Sequence, residues 1–155
     1  MDRRELLGAF GATAAGMMAT GVFAAPADEH KDHHHHMDKM HEDCLKACGE
    51  CAMVCNMMAH HCLDQIIAGA GDAKHHARAH SLAMDCQAFC VLSATLIARR
   101  SDMMEYSCAA CADACRSCAE ECEKPGGDAA MKACAEKCRA CEKSCREMVR
   151  HMKAA

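Results

Sequence analysis

The chain contains no tryptophan, one tyrosine and three phenylalanines among its 155 residues. Phe10 and Phe23 fall in an N-terminal segment with the character of an export signal, so only Phe89 and Tyr106 remain for a mature domain. Burial of large apolar side chains is the usual source of stability in a domain of this size. The scarcity of such side chains indicates that apolar burial alone stabilises this fold weakly, and that something else contributes.

Signatures of several other protein classes are missing as well. The formal net charge is only −4, and basic residues alternate with acidic ones, so no nucleic-acid partner is predicted. There is no nucleophile–base pair, no pair of carboxylates on an apolar face and no glycine-rich phosphate loop, so the chain is not predicted to be an enzyme. No segment alternates apolar and polar residues as a strand does, which favours an all-α fold.

Cysteine, by contrast, is abundant. The sixteen cysteines make up about a tenth of the chain, a density typical of disulfide scaffolds and metal proteins. From Cys108 to Cys122, and again from Cys134 to Cys145, they recur at alternating spacings of three and four residues. This spacing is typical of the seam of an α-helix that faces a partner helix. The sequence therefore predicts helices whose inward positions carry thiols where an ordinary bundle carries leucines.

Turn and capping residues divide the chain after residue 40 into four predicted helices. The short connections between them force neighbouring helices to be antiparallel, which predicts an up-down-up-down four-helix bundle with a cysteine-lined core over residues 41–155. Asp72 is a predicted N-cap, and Asp102 and Glu105 have the spacing of a capping box. The predicted helices are His41 to about Ala68, the residues after Asp72 to about Ala98, Asp102 to the residue before Pro125, and Asp128 to about Met152.

Residues 1–24 resemble a twin-arginine export signal. Arg3 and Arg4 precede a mildly apolar run from Gly8 to Val22, and small residues at its end suit a signal peptidase. The run is too short and too weakly apolar to remain as a membrane anchor, so no membrane span is expected after its removal. A twin-arginine route exports folded protein, which suits a thiol-rich chain that folds in the reducing cytosol. The expected location is the periplasm.

Residues 25–40 show no apolar periodicity and are predicted to be a disordered tail rich in histidine and methionine. Two interpretations of this tail remain open, a loose metal scavenger and a solvated spacer.

The spacing of the thiols favours a soft metal ion. Residues three or four apart on a helix have Cβ atoms about 5–6 Å apart on one face, and two sulfurs on one ion lie at most about 4.6 Å apart when the zinc–sulfur bond is the yardstick. Cu(I) prefers thiolate and thioether ligands and accepts two or three of them. The seams therefore predict a row of Cu(I) ions held by Cys44, Cys48, Cys51, Cys55, Cys62, Cys86, Cys90, Cys108, Cys111, Cys115, Cys118, Cys122, Cys134, Cys138, Cys141 and Cys145.

An exported protein with many cysteines can also be a disulfide scaffold, and C-x2-C pairs such as Cys48 and Cys51 occur in zinc sites. The alternative function is therefore a redox or metal buffer with disulfides or zinc. Disulfides between successive helical turns are geometrically awkward, although pairing across helices remains open. A gain of stability on copper binding distinguishes a protein that stores Cu(I) from this alternative.

The signal, the four helices and the C-x3-C and C-x2-C seams from Cys44 to Cys145 resemble the bacterial copper storage proteins. The resemblance implies storage of many Cu(I) ions inside a four-helix bundle, in an exported branch of the family. It also implies that copies of the chain can associate. Supply of the ions to a copper enzyme and detoxification remain open as the purpose of storage.

Histidines and methionines are concentrated where the thiols stop. In the predicted topology, the end of the first helix and the start of the second lie at one end of the bundle, and imidazole and thioether exchange Cu(I) faster than bridged thiolates. The resemblance places a metal entrance at this end too. The predicted entrance residues are Met57, Met58, His60, His61, His75 and His76. A rival cluster at the opposite end could be a second entrance, and it contains Met37, Met40, His41, Met103, Met104, Met148, His151 and Met152.

Overall fold

Four antiparallel helices account for nearly all of residues 37–154, the part of the chain that the computed structural model describes. They are α1 (Lys39–Ala68), α2 (Ala73–Ala98), α3 (Met104–Cys122) and α4 (Ala129–Ala154). α1 and α3 each pack against both α2 and α4. The predicted all-α four-helix bundle is confirmed. The predicted signal, residues 1–24, and residues 25–36 of the predicted tail lie outside the described residues.

Local capping explains the first two helices. Asp38 caps α1 by accepting a hydrogen bond from the backbone N–H of His41 at 3.0 Å, and Gly69 ends the helix in the left-handed conformation that glycine favours. Asp72 caps α2 as predicted, because its carboxylate accepts a bond from the Lys74 N–H at 2.9 Å. Since α1 begins at Lys39 and not at about His41, the last two residues of the predicted tail are helical.

The predicted capping box at Asp102 and Glu105 is wrong. α3 begins at Met104, and its N-cap residue, Met103, makes no side-chain capping bond. The backbone of Ser101 takes this role, because its carbonyl accepts a bond from the Met104 N–H at 3.0 Å while its own N–H bonds to α2. The short connection after α2 is therefore closed by backbone bonds, and the Asp102 carboxylate is not needed.

The bundle core consists mainly of thiols and small side chains. All sixteen cysteines are buried, with at most 1% of their surface exposed, and seven alanines and two serines, Ser93 and Ser107, are buried with them. Among the described residues, the wholly buried large side chains are Ile97, Met131 and Met148. Alanine has the highest helix propensity, so the helices form with little help from large apolar contacts. The sulfur atoms occupy the space that a leucine core would fill.

Several large apolar side chains lie on the outside of the bundle. Phe89, Val91 and Leu92 of α2 are partly exposed, and Tyr106 of α3 is 67% exposed. By length and composition, α2 is the one helix of the described residues that could cross a membrane, but core helices of soluble proteins meet the same criterion. The two large aromatic residues of the described chain therefore lie at the surface, away from the thiols.

Candidate metal centre

All four helices contribute thiols to one continuous buried column. α1 supplies five cysteines, α2 two, α3 five and α4 four, and all sixteen are unpaired thiols. They point inward because spacings of three and four keep residues on one face of a helix. No disulfide forms among the described residues, so each sulfur is available as a ligand.

The sulfur atoms lie close enough for one ion to bridge two of them. Across helices, the Sγ atoms of Cys86 and Cys115 are 3.5 Å apart, and those of Cys48 and Cys145 are 3.6 Å apart. Along one helix, the Sγ atoms of Cys51 and Cys55 are 3.9 Å apart. These separations are shorter than the limit of about 4.6 Å for two sulfurs on one ion. The column can therefore hold metal between helices as well as between turns.

The sulfurs also form groups of four. In each group, all Sγ atoms lie within 4.8 Å of one another and all members are buried. Five of these groups are Cys48/Cys111/Cys141/Cys145, Cys51/Cys86/Cys90/Cys115, Cys51/Cys55/Cys86/Cys138, Cys55/Cys118/Cys134/Cys138 and Cys90/Cys111/Cys115/Cys141. Each of the five shares two sulfurs with at least one of the others.

Burial and mutual hydrogen bonding control the ionisation of these thiols. Burial raises the pKa of Cys62 to about 11, and the Asp128 carboxylate adds to the increase. Hydrogen bonds from Cys115 and other thiols hold the pKa of Cys51 well below its ordinary value. The pKa of Cys141 is raised by its hydrogen bonds to Cys111 and other thiols. No lysine or arginine of the described residues is buried, so a bound cation is what would compensate the charge of the thiolates.

Three of the predicted entrance histidines meet at the end of the column that α1 and α2 share. The ring centroids of His61 and His76 are 6.1 Å apart, as are those of His75 and His76. His61 Nε2 lies 2.6 Å from a carboxylate oxygen of Asp128, and His75 Nε2 lies 2.9 Å from the backbone oxygen of Glu121. We call His61, His75 and His76 the histidine mouth.

His76 differs from its two neighbours in the histidine mouth. It is 4% exposed, and its Nδ1 atom has no hydrogen-bond partner. A Cβ atom at Gly71 would lie 2.8 Å from His76 Nε2, and Gly71 has a φ of +70°, so only glycine fits there comfortably. The α1–α2 turn thus covers His76 and leaves one of its nitrogens without a partner.

The remaining predicted entrance residues are divided between the inside and the outside. Met58 is buried, whereas Met57 is 66% exposed. His60 points into solvent, where it lies 3.5 Å from the Asp64 carboxylate. The structure therefore brings Met58 together with His61 but not with His60. A groove of about 360 Å³ between α1 and α4 is lined by Val54, Met57, Met58, His61, Ala130 and Ala133.

Sequence analysis missed the acidic partners of the histidine mouth, Asp128 and Glu121. The topology provided a signal, because the end of α3 and the start of α4 lie at the same end as His61 and His75. Asp128 has a second role, since it accepts a bond from the Met131 N–H at 3.0 Å and caps α4. The Asp128 carboxylate thus both caps α4 and contacts the imidazole of His61.

The opposite end of the column is filled with larger side chains. Ile97 and Met148 are fully buried, and Met104 is 6% exposed. Two members of the rival cluster, Met103 and His151, are exposed instead. We call Ile97, Met104 and Met148 the apolar plug. These three side chains lie at the end of the bundle where the rival cluster was predicted.

Comparison with known proteins agrees with this geometry. Residues 37–150 match the model of the copper storage protein family. A curated relative, the uncharacterized cysteine-rich protein YhjQ of Bacillus subtilis (strain 168), is 33% identical over 93 residues, which cover 59% of this chain and 81% of the relative.

Two solved structures are similar over most of the bundle. The Cu(I)-bound copper storage protein BsCsp3 is 31% identical with a TM-score of 0.64, covering 72% of this chain and 99% of that one. Ccsp from Streptomyces lividans, loaded with 10 copper equivalents, is 26% identical with a TM-score of 0.64, covering 81% of this chain and 92% of that one. The family match covers most of the chain and the whole column of thiols, and this protein therefore belongs to the copper storage protein family.

Proposed function

We propose that this protein stores many Cu(I) ions inside the bundle, bound to the thiolates of the column. The observation that carries the proposal is that all sixteen thiols are buried and unpaired, and that many of their Sγ atoms lie 3.5–4.0 Å from one another. Soft sulfur ligands select Cu(I). The unpaired thiols argue against a disulfide scaffold, and the family match favours Cu(I) as the main stored ion over a zinc-containing buffer.

Charge balance supports a filling close to one ion per thiol. Each Cu(I) that binds a thiol displaces one proton, so a column with equal numbers of ions and thiolates is neutral. Neutrality matters because charges in a dry interior are costly unless they are compensated, and no lysine or arginine of the described residues is buried there. Bridging thiolates allow neighbouring ions to share sulfurs. The stored ion is cargo, and no catalytic step is proposed.

Anaerobic titration of the reduced protein with Cu(I), against a competing chelator, tests this function. We expect roughly ten or more ions per chain, because soft ions fill shared thiolate sites in succession. Replacing Cys51, Cys86, Cys115 and Cys138 with alanine should lower the capacity by several ions. His60→Ala, on the exposed face of α1, is the control and should leave the capacity unchanged. Saturation of the unmodified protein at one or two ions would contradict storage.

We also propose that copper enters and leaves through the histidine mouth. Imidazole and thioether bind Cu(I) more weakly than a bridged thiolate core and exchange it faster. His61, His75, His76 and the buried Met58 lie where the column ends, and His76 Nδ1 has no other partner. The apolar plug occupies the other end. These placements favour one mouth over the rival cluster.

Replacing His61, His75 and His76 with alanine and Met57 and Met58 with leucine should slow uptake and removal of Cu(I) roughly tenfold, the lower end of the change in affinity or activity typical when residues beside a metal site are removed. Stopped-flow transfer between protein and chelator measures both rates, and the total capacity should remain nearly intact. His60→Ala is the matched control on the same helix. Unchanged transfer rates in the five-residue variant, with slower transfer in a Met103→Leu/Met104→Leu variant, would place the entrance at the opposite end.

The cellular setting is part of the proposal. Arg3, Arg4 and the apolar run up to Val22 support export by a twin-arginine signal. A periplasmic store could keep Cu(I) from harmful reactions or supply it to a copper enzyme.

A second copy of the chain is a candidate partner, and the apolar outer face of α2 offers a surface for it.

A further inference from the structure

We propose that the same column binds a second class of cargo, divalent d10 cations, at three separate four-thiolate sites. This capacity exists beside Cu(I) storage and differs from it in stoichiometry and geometry. The number of divalent ions is measured on the copper-free protein, so failure of this proposal and failure of Cu(I) storage are distinguishable; only the displacement by Cu(I) rests on the proposed function.

The middle of the column has the geometry of a tetrahedral site. Among the four Sγ atoms of Cys51, Cys86, Cys90 and Cys115, five of the six separations are 3.5, 3.8, 3.9, 3.9 and 4.0 Å. A tetrahedral ion with metal–sulfur bonds of about 2.3 Å places its ligands about 3.8 Å apart. The thiols are therefore arranged before metal binds, on three different helices.

Two other groups flank this one and share no sulfur with it. Cys48, Cys111, Cys141 and Cys145 lie toward the apolar plug, and Cys55, Cys118, Cys134 and Cys138 lie toward the histidine mouth. Representative Sγ separations are 3.6 Å for Cys48–Cys145 and 3.8 Å for Cys55–Cys138. The three groups together use twelve thiols and can be filled at the same time.

Four-thiolate tetrahedral sites suit divalent d10 ions better than Cu(I), which takes two or three ligands. Each divalent ion displaces four protons from four thiols and leaves a complex with a net charge of −2. Such a charge is unfavourable in an interior without buried cations, whereas the Cu(I) filling is neutral. Divalent ions should therefore bind to the copper-free protein and be displaced by Cu(I).

The test uses Cd²⁺ as the probe on the full-length, reduced, copper-free protein. We expect saturation at three ions per chain, with a thiolate-to-cadmium charge-transfer band and ¹¹³Cd chemical shifts typical of four sulfur ligands. Added Cu(I) should then release all three ions. If Cd²⁺ bound only at the histidine mouth, the ¹¹³Cd chemical shift of a four-sulfur site would be absent.

Two alanine double variants separate the middle site from the rest of the column. Cys90→Ala/Cys115→Ala removes half of the middle group and should reduce saturation to two ions. Cys44→Ala/Cys62→Ala removes the same number of thiols outside the three groups and should retain three. Far-UV circular dichroism verifies that both variants fold. Saturation of the unmodified protein at any number other than three, coordination by fewer than four sulfurs, or equal losses in the two variants would overturn the proposal.

Discussion

Loading the reduced protein with copper should raise its thermal unfolding midpoint by tens of degrees while its helix content changes little. A ligand that binds only the folded state adds about 4 kcal/mol of stability when its concentration is a thousand times its dissociation constant. Ten such ions would add more than the typical total stability of a domain, about 5–15 kcal/mol. The copper-free bundle should already be helical, because alanine-rich helices with capped ends pack through buried thiols and small side chains.

Far-UV circular dichroism before and after anaerobic loading measures both parts of this prediction. The chelator without copper is the control, and excess chelator should return the loaded protein to its original midpoint. A random-coil spectrum without copper would show that metal drives folding, as in zinc fingers. An unchanged midpoint after loading would show that the ions are not held by the folded core.

Met148→Ala should destabilise the copper-free protein strongly and the loaded protein much less. Met148 is fully buried in the apolar plug, and replacing such a residue with alanine typically costs about 2–5 kcal/mol. This core has few other large side chains, and each kcal/mol corresponds to about 4–8 °C in a small domain. The midpoint of the copper-free variant should therefore fall by roughly 10 °C or more. Metal–thiolate bonds do not involve Met148, so loading should restore much of the loss.

Met103→Ala is the matched control for this prediction. Met103 is 55% exposed at the same end of the bundle, and exposed substitutions usually change stability by about 0.5 kcal/mol or less. Thermal melts of both variants, with and without copper, provide the comparison. Equal midpoints for the two copper-free variants would mean that the apolar plug does not stabilise the bundle.

The helix boundaries show how far local sequence signals determine the fold. Gly69 and Asp72 act as predicted, because a left-handed glycine and a capping carboxylate work within a few residues of themselves. Asp102 had an equally good local pattern, yet the backbone of Ser101 satisfies the start of α3. Which group bonds to the first N–H groups of α3 depends on how α2 ends. The residue spacing within α3 carries no information about the end of α2.

The candidate site has the same division between local and long-range information. Spacing predicted that the cysteine seams face inward, because the face on which a residue lies is a local property of a helix. The pairing of Cys86 with Cys115 depends on the axial register of two helices, which the sequence does not reveal. Helical rotation also separates neighbours, so His61 joins the mouth while His60 faces solvent. Asp128 and Glu121 were missed because they come from another part of the chain.

A core built from thiols instead of aromatic side chains has a practical consequence for optical measurements. The chain has no tryptophan and a single tyrosine, so the protein itself absorbs weakly in the near ultraviolet. Metal–thiolate charge-transfer bands will therefore be measured with little background absorbance from the protein. Metal loading can be followed directly by absorbance, while protein concentration has to be determined by amino-acid analysis or thiol counting.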